Sequence, residues 1–155
     1  MQKLRLTVNQ QKTRICRVPA ESFDFLGYTL GRCHRAKTGE AYIGTRPSKK
    51  RVIRLFGTIS EMTRRQTGGR DTEEVIGELN LLLQGWANYF RLGSVSKAYR
   101  AVDRHTRNRL RRWLCRKHKV KDSGLRRYPV AYLHETLGLI RLTRSHTTLP
   151  WATAR

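Results

Sequence analysis

The feature that most constrains the fold of this chain is a change of apolar period near Arg46-Pro47. Before it, apolar and polar residues alternate at Leu4, Leu6 and Val8, again from Thr13 to Val18, and in a third run, Phe23 to Leu30, after Pro19. Alternation sends successive side chains to opposite faces and marks half-buried strands. Asn9-Gln10-Gln11 supplies a turn. Ala41-Tyr42-Ile43, inside the Gly-, Lys- and Arg-rich stretch Gly31 to Gly44, is expected to form one more strand of a hairpin turning at Thr38-Gly39. If Phe23 and Phe25 share one face, Asp24 lies on the other as a surface or loop-anchoring group.

Beyond Pro47, which can precede a helix but not sit inside one, the period becomes 3.6. Ser48 is placed to N-cap a helix with Val52, Phe56, Ile59 and Met62 or Thr63 on one side, and Gly68-Gly69 is expected to stop it. Asp71 and Glu74 have capping-box spacing ahead of a broad stripe of Val75, Ile76, Leu79, Leu82, Leu83, Trp86 and Phe90. A third helix starts near Ser94 or Ser96 and turns Val95, Ala98, Tyr99, Val102, Leu110, Trp113 and Leu114 inward. Ser123-Gly124 and Pro129 break the pattern before a short helical segment, Val130 to Leu137, and a strand-like end, Leu139 to Leu142. The expectation is an α+β chain: short antiparallel β-hairpins over residues 1–46, then a three- to four-helix bundle over residues 47–155.

Charge narrows the function. Thirty-three Lys and Arg face 11 Asp and Glu in 155 residues, a net charge of +22, while 38% apolar residues and 12 glycines leave enough for a core. Such an excess opposes compaction unless a polyanion accompanies it. Nucleic acid suits better than membrane, because the apolar positions are committed to helix and strand interiors. No segment approaches the roughly 20 apolar residues of a membrane span, and the N-terminus lacks the pattern of a secretory signal. A reducing cytoplasm is expected, with Cys16, Cys33 and Cys115 as free thiols. The basic residues concentrate between Arg100 and Lys121, where Asp103 is the one carboxylate. Solvated helix faces normally mix signs, so a single-sign face points to phosphate contacts.

Catalytic chemistry is hard to assemble. Two-metal sites need converging carboxylates, whereas Glu73 and Glu74 sit at a helix start, where the helix dipole accounts for them. Cys115 and His118 have CxxH spacing, but no second close pair completes a zinc site. A Cys–His nucleophile pair lacks a third group. The five histidines are dispersed, and most are expected as surface donors among arginines. No GxxxxGK or GxGxxG loop is present. The expected inventory is no catalytic residue and no metal ligand.

Three segments carry a resemblance. Leu6-Thr-Val-Asn-Gln-Gln-Lys12-Thr13-Arg14 resembles the palm segment "L-x-L-N-x-x-K-T" of bacterial group II intron reverse transcriptases, the intron maturases. Phe23-Asp-Phe25-Leu26-Gly27-Tyr28 is similar to their "F-x-F-L-G-[FY]" primer-grip hairpin. Leu83-Gln-Gly-Trp86-Ala-Asn88-Tyr89-Phe90-Arg91, followed by Asp103-Arg104 and Leu110-Arg-Arg-Trp113, resembles the maturase-specific thumb. Together they run through nearly the whole chain in the family's order, and "GWANYF" is the most specific of them.

The resemblance implies the end of a polymerase palm joined to a thumb. It also implies that the metal-binding aspartates, "Y-x-D-D" among them, lie before the Lys12 segment and outside this chain, and that the zinc-supported endonuclease of some relatives is absent. The chain alone is then not an enzyme and needs no cofactor, with Mg2+ expected only for the complete polymerase. Lys12 would sit near the incoming triphosphate of a complete enzyme, Gly27 would let backbone approach a primer, and Phe25, Leu26 and Tyr28 would form and pack the grip. Trp86 and Phe90 are expected in the thumb core, and Asn88 and Arg91 on its RNA side. Arg104, Arg107, Arg111, Arg112, Arg116 and Lys117 complete the expected RNA- and primer-binding set.

The expected function is RNA binding to assist intron splicing and retrohoming. The expected partners are structured intron RNA and the template–primer duplex, and the expected location is a cytoplasmic ribonucleoprotein or the nucleoid. Two other readings stand beside it: the C-terminal half of a split RNA-directed DNA polymerase that works only with an N-terminal reverse transcriptase fragment, and a nonfunctional remnant.

Overall fold

A computed structural model describes residues 15–35 and 38–145. The order is β1 (Phe23–Phe25), β2 (Tyr28–His34), β3 (Ala41–Pro47), α1 (Lys49–Met62), a 3₁₀ turn (Gln66–Gly69), α2 (Thr72–Tyr89), α3 (Ser96–Lys117), a π turn (Tyr132–Thr136) and α4 (Leu142–Ser145). The chain is α+β: one antiparallel three-stranded sheet in the order β1-β2-β3, followed by helices. The strands expected before Pro19 lie largely outside the described residues, as does Lys12, and residues 15–18 form no strand.

The run Phe23 to Leu30, one strand by its alternation but a hairpin by the resemblance, is a hairpin. Phe25 pairs with Tyr28 across a two-residue turn in which Leu26 and Gly27 have φ of 48° and 84°. Paired positive φ values mark the primed turns whose twist matches flanking strands. A non-glycine residue there costs about 1–2 kcal/mol, and the Leu26 carbonyl gains a hydrogen bond donated by Tyr89 Oη at 2.8 Å. Asp24 does oppose the phenylalanines: its Oδ1 accepts from Thr29 Oγ1 at 2.6 Å, across the Asp24–Thr29 pair. The second hairpin, β2–β3, pairs His34 with Ala41, and Arg35 N donates to Glu40 O at 2.9 Å beside Gly39, whose φ is 72°, at the expected turn.

Ser48 N-caps α1, its side chain accepting from Arg51 N, and Asp71 caps α2 by accepting from Glu73 N and Glu74 N. These two donors hold the Asp71 carboxyl below its usual range. The core joins Leu55 and Ile59 of α1, Val75, Ile76, Leu79 and Leu83 of α2, and Tyr99, Val102, Leu110, Trp113 and Leu114 of α3. All but Leu55 lie on the expected stripes. Two terminal expectations fail: helix α1 stops at Met62, before Gly68-Gly69, which lie in the 3₁₀ turn, and Leu139 to Leu142 forms no strand, because Leu142 opens α4 under Asp103. The short helical segment expected from Val130 to Leu137 is present, with Val130 and Ala131 running into the π turn.

Sheet and bundle meet at a polar seam. Tyr28 Oη donates to Tyr89 O at 2.6 Å, Ser48 N to Gly27 O at 2.9 Å, and Ser94 N to Thr45 O at 2.7 Å. The Tyr28 ring also lies 5.1 Å from that of Phe90. Gly93 makes the last approach possible: it has φ of 77°, and a Cβ there would sit 2.2 Å from Thr45 O. Gly93→Ala combines a left-handed strain of about 1–2 kcal/mol with that clash. Thermal unfolding should show destabilisation of at least this size, and an unchanged midpoint would mean the seam contributes nothing.

Candidate RNA interface

The basic run on α3 divides into two sets with different chemistry. The first set is structural. Helix α1 has no basic residue in its last turn, so its terminal carbonyls need outside donors. Arg109 donates to Ser60 O at 2.8 Å, Thr63 O at 3.2 Å and Thr63 Oγ1 at 3.1 Å, while Arg116 donates to Thr63 O at 2.8 Å. These residues are seven apart and reach the same helix end. Lys117 Nζ donates to Arg70 O and lies 5.3 Å from the centre of the Trp113 ring.

Arg111, expected on the exposed RNA face, is 6% exposed and donates through Nε to Tyr128 O at 2.9 Å. Burial pushes its guanidinium below the usual arginine range, but not to neutrality. It therefore ties α3 to the 124–128 loop. Its place one residue from Leu110 puts it at the edge of the buried stripe, where a long side chain can reach a carbonyl.

The second set faces solvent. Lys97, Arg100, Arg104, Asn108 and Arg112 are exposed along α3, with Arg107 half-buried beside them. Steps of three and four keep such residues on one side of a helix. Arg104 and Arg112 make no hydrogen bond or ion pair among the described residues, so their charge is available to a ligand. Lys97 and Arg100, and Arg141 from the segment before α4, line the same groove as Arg104 and Arg107. Sequence reasoning left these three out of the site. Lys97 and Arg100 could have been found by continuing the spacing backwards from Arg104.

The other expected site residues fall in two places. Asn88 and Arg91 are exposed at the end of α2. Leu26, Gly27 and Tyr28 form the hairpin tip beside Lys50, Arg51 and Arg54 of α1, and a Cβ on Gly27 would meet Arg51 Nε at 3.0 Å and Phe90 Cζ at 3.2 Å. Tyr28 packs against the bundle, but Phe25 does not: it is 60% exposed. Trp86 is half-buried against the helical core, and Phe90 is buried between the Trp86 and Tyr28 rings, at the seam with the sheet and not in the helical core cluster.

Of the histidines, His34 and His118 are exposed as expected of most of them, whereas two are partly buried. His105 stacks on Phe56 at 4.2 Å, with Nε2 3.2 Å from Ser60 Oγ and 3.3 Å from Phe56 O, and His134 Nδ1 is 2.6 Å from Leu139 O. Burial, with neighbouring arginines, pulls both below the ordinary value. A histidine held neutral in the fold takes its proton more readily once unfolded, so its contribution is present above roughly pH 6.5 and fades as pH falls below that. Between pH 7.5 and 5.5 the melting temperature should fall, and His105→Gln should flatten that slope; parallel profiles would contradict the burial argument. Burial likewise pushes the Cys115 thiol up, which disfavours the thiolate a nucleophile needs.

The arrangement offers a row of cations backed by a packed three-helix core, which suits phosphate contacts, and among the described residues of this face no acid–base pair converges. Among the described residues no helix is long and apolar enough to cross a membrane, and no group of three or more potential ligands could hold a metal ion. No curated protein sequence matches the chain. The sequence pattern of the group II intron, maturase-specific domain matches residues 52–129, from the first turn of α1 to the loop that receives Arg111. That span is just over half of the chain and holds the whole α1–α2–α3 core, and on it the chain belongs to the group II intron maturase-specific domain family.

Proposed function

We propose that the chain is the RNA-binding thumb and maturase region of a group II intron-encoded reverse transcriptase, gripping structured intron RNA to assist splicing and retrohoming. The observation that carries this reading is the exposed single-sign face of α3, Arg100, Arg104 and Arg112, within a family whose description is a maturase role. A-form RNA is recognised largely through phosphates and 2′-hydroxyls, which arginine-dense helices contact without base readout. In this reading the protein works in a ribonucleoprotein, carries no catalytic residue and needs no cofactor of its own. The test is a splicing assay: purified protein added to a group II intron transcript should raise the spliced fraction at a magnesium concentration where the RNA alone splices poorly. No change at saturating protein would count against the reading.

A second reading, the C-terminal half of a split RNA-directed DNA polymerase, is favoured by one observation. By strand register Phe23, Phe25 and Ile43 lie on one sheet face, and all three are exposed. An N-terminal reverse transcriptase fragment carrying the catalytic aspartates and their Mg2+ would cover them. The chain alone should then extend no primer, and extension should appear when such a fragment is added; failure of the two to co-purify would remove this reading.

A further inference from the structure

Residues 138–143 form a strap across α2 and α3, held by one polar side chain from each helix. Asn80 donates through Nδ2 to Gly138 O at 2.9 Å and accepts at Oδ1 from Ile140 N at 3.0 Å. Asp103 accepts from Leu142 N at 3.0 Å, from Thr143 N at 3.2 Å and from Thr143 Oγ1 at 2.9 Å. Leu139 and Leu142 are 3% and 1% exposed, so the strap is packed as well as tied. Where it passes α3 it walls one side of a groove of about 540 Å³. The helix contributes Lys97, Arg100, Arg104 and Arg107, and the strap contributes Arg141.

Asp103 is the one carboxylate in this groove, and it is 7% exposed. Its oxygens are engaged by three strap donors, so it holds the strap in place while the lining stays cationic. Helical residues three or four apart have Cβ atoms about 5–6 Å from one another, which lets cations on α3 meet neighbouring phosphates of one strand. A cation on the opposite wall can then close on the same phosphates. Resting on the RNA-binding reading above, we propose that this groove is a discrete site for consecutive phosphates of an RNA strand, built jointly by α3 and the strap, with Asp103 as the positioning residue that keeps Arg141 across from the helix.

The proposal reverses the sign expected from net charge. Removing a carboxylate from a cationic groove should tighten RNA binding by general electrostatics, whereas here Asp103→Asn frees the strap and should weaken it. The experiment is a fluorescence titration of a labelled intron hairpin RNA over a range of salt, with wild type, Asp103→Asn, Arg141→Gln and, outside the groove, Arg112→Gln. Arg141→Gln should lower the salt slope by about 0.7–0.9, the value of one phosphate contact. Asp103→Asn should weaken binding several-fold although it removes a negative charge, and combining it with Arg141→Gln should cost little more, since both remove the same contact. Binding as tight as wild type in Asp103→Asn, or an unchanged slope in Arg141→Gln, overturns the proposal. If Asp103→Asn fails to fold, the Arg141→Gln slope decides alone. A silent Arg141→Gln beside an effective Arg112→Gln sinks the groove and spares the RNA-binding reading, whereas wild type without salt-dependent binding sinks both.

Discussion

Trp113→Ala is expected to cost about 3–5 kcal/mol of folding stability. The indole is fully buried where α3 meets α1, α2 and the 3₁₀ turn, and its Nε1 donates to Thr67 Oγ1 at 3.1 Å. Truncation would leave a cavity among Leu, Ile and Val side chains and remove the polar tie to the 3₁₀ turn. It would also remove the ring beneath Lys117, which anchors the end of α3 to Arg70 O. Domains of this size are commonly stable by only about 5–15 kcal/mol, so the variant should be close to unfolding at physiological temperature. Urea unfolding followed by circular dichroism measures it directly. A loss below about 1 kcal/mol would mean that the three-helix core is not closed around this residue.

The helical half of the fold was largely legible because its apolar residues recur at 3.6 over long stretches, with capping residues at Ser48 and Asp71. The β half was less so. In Phe-Leu-Gly-Tyr the apolar run conceals a turn, since a leucine in the left-handed region carries no compositional mark and only Gly27 hints at it. The end of the chain misled for a different reason: Leu139 to Leu142 has the composition of a strand, but it takes its backbone partners from Asn80 and Asp103 instead of a neighbouring strand.

The site shows the same division. Periodicity correctly separated Arg104 and Arg112 from the core stripe. It could not show that Arg109 and Arg116 cap the end of α1, because the carbonyls they satisfy lie about fifty residues away in the chain. Nor could it show that Arg111 is committed to Tyr128 O. A missing signal was nonetheless present in α1, whose last turn has neither a basic residue nor a glycine to end on. Asp103 was similarly visible as a lone carboxylate among ten basic residues, but its partner segment was not.

The most direct test of the account is the salt dependence of RNA binding with the exposed arginines present and removed. Counterion release makes affinity fall with salt in proportion to the phosphates contacted: six to ten contacts lose roughly 10³–10⁵ in affinity between 50 and 200 mM salt. Wild type bound to structured intron RNA should fall in that range. Arg104, Arg107 and Arg112 replaced together by Gln should lower the slope by about 2–3, at roughly 0.7–0.9 per lost contact. The melting temperature should stay nearly unchanged, because none of the three makes a hydrogen bond or ion pair among the described residues and Arg111, which does, is left in place. A flat wild-type response, or a triple variant that unfolds while its folded fraction binds RNA with the original slope, would contradict the assignment of this face to RNA.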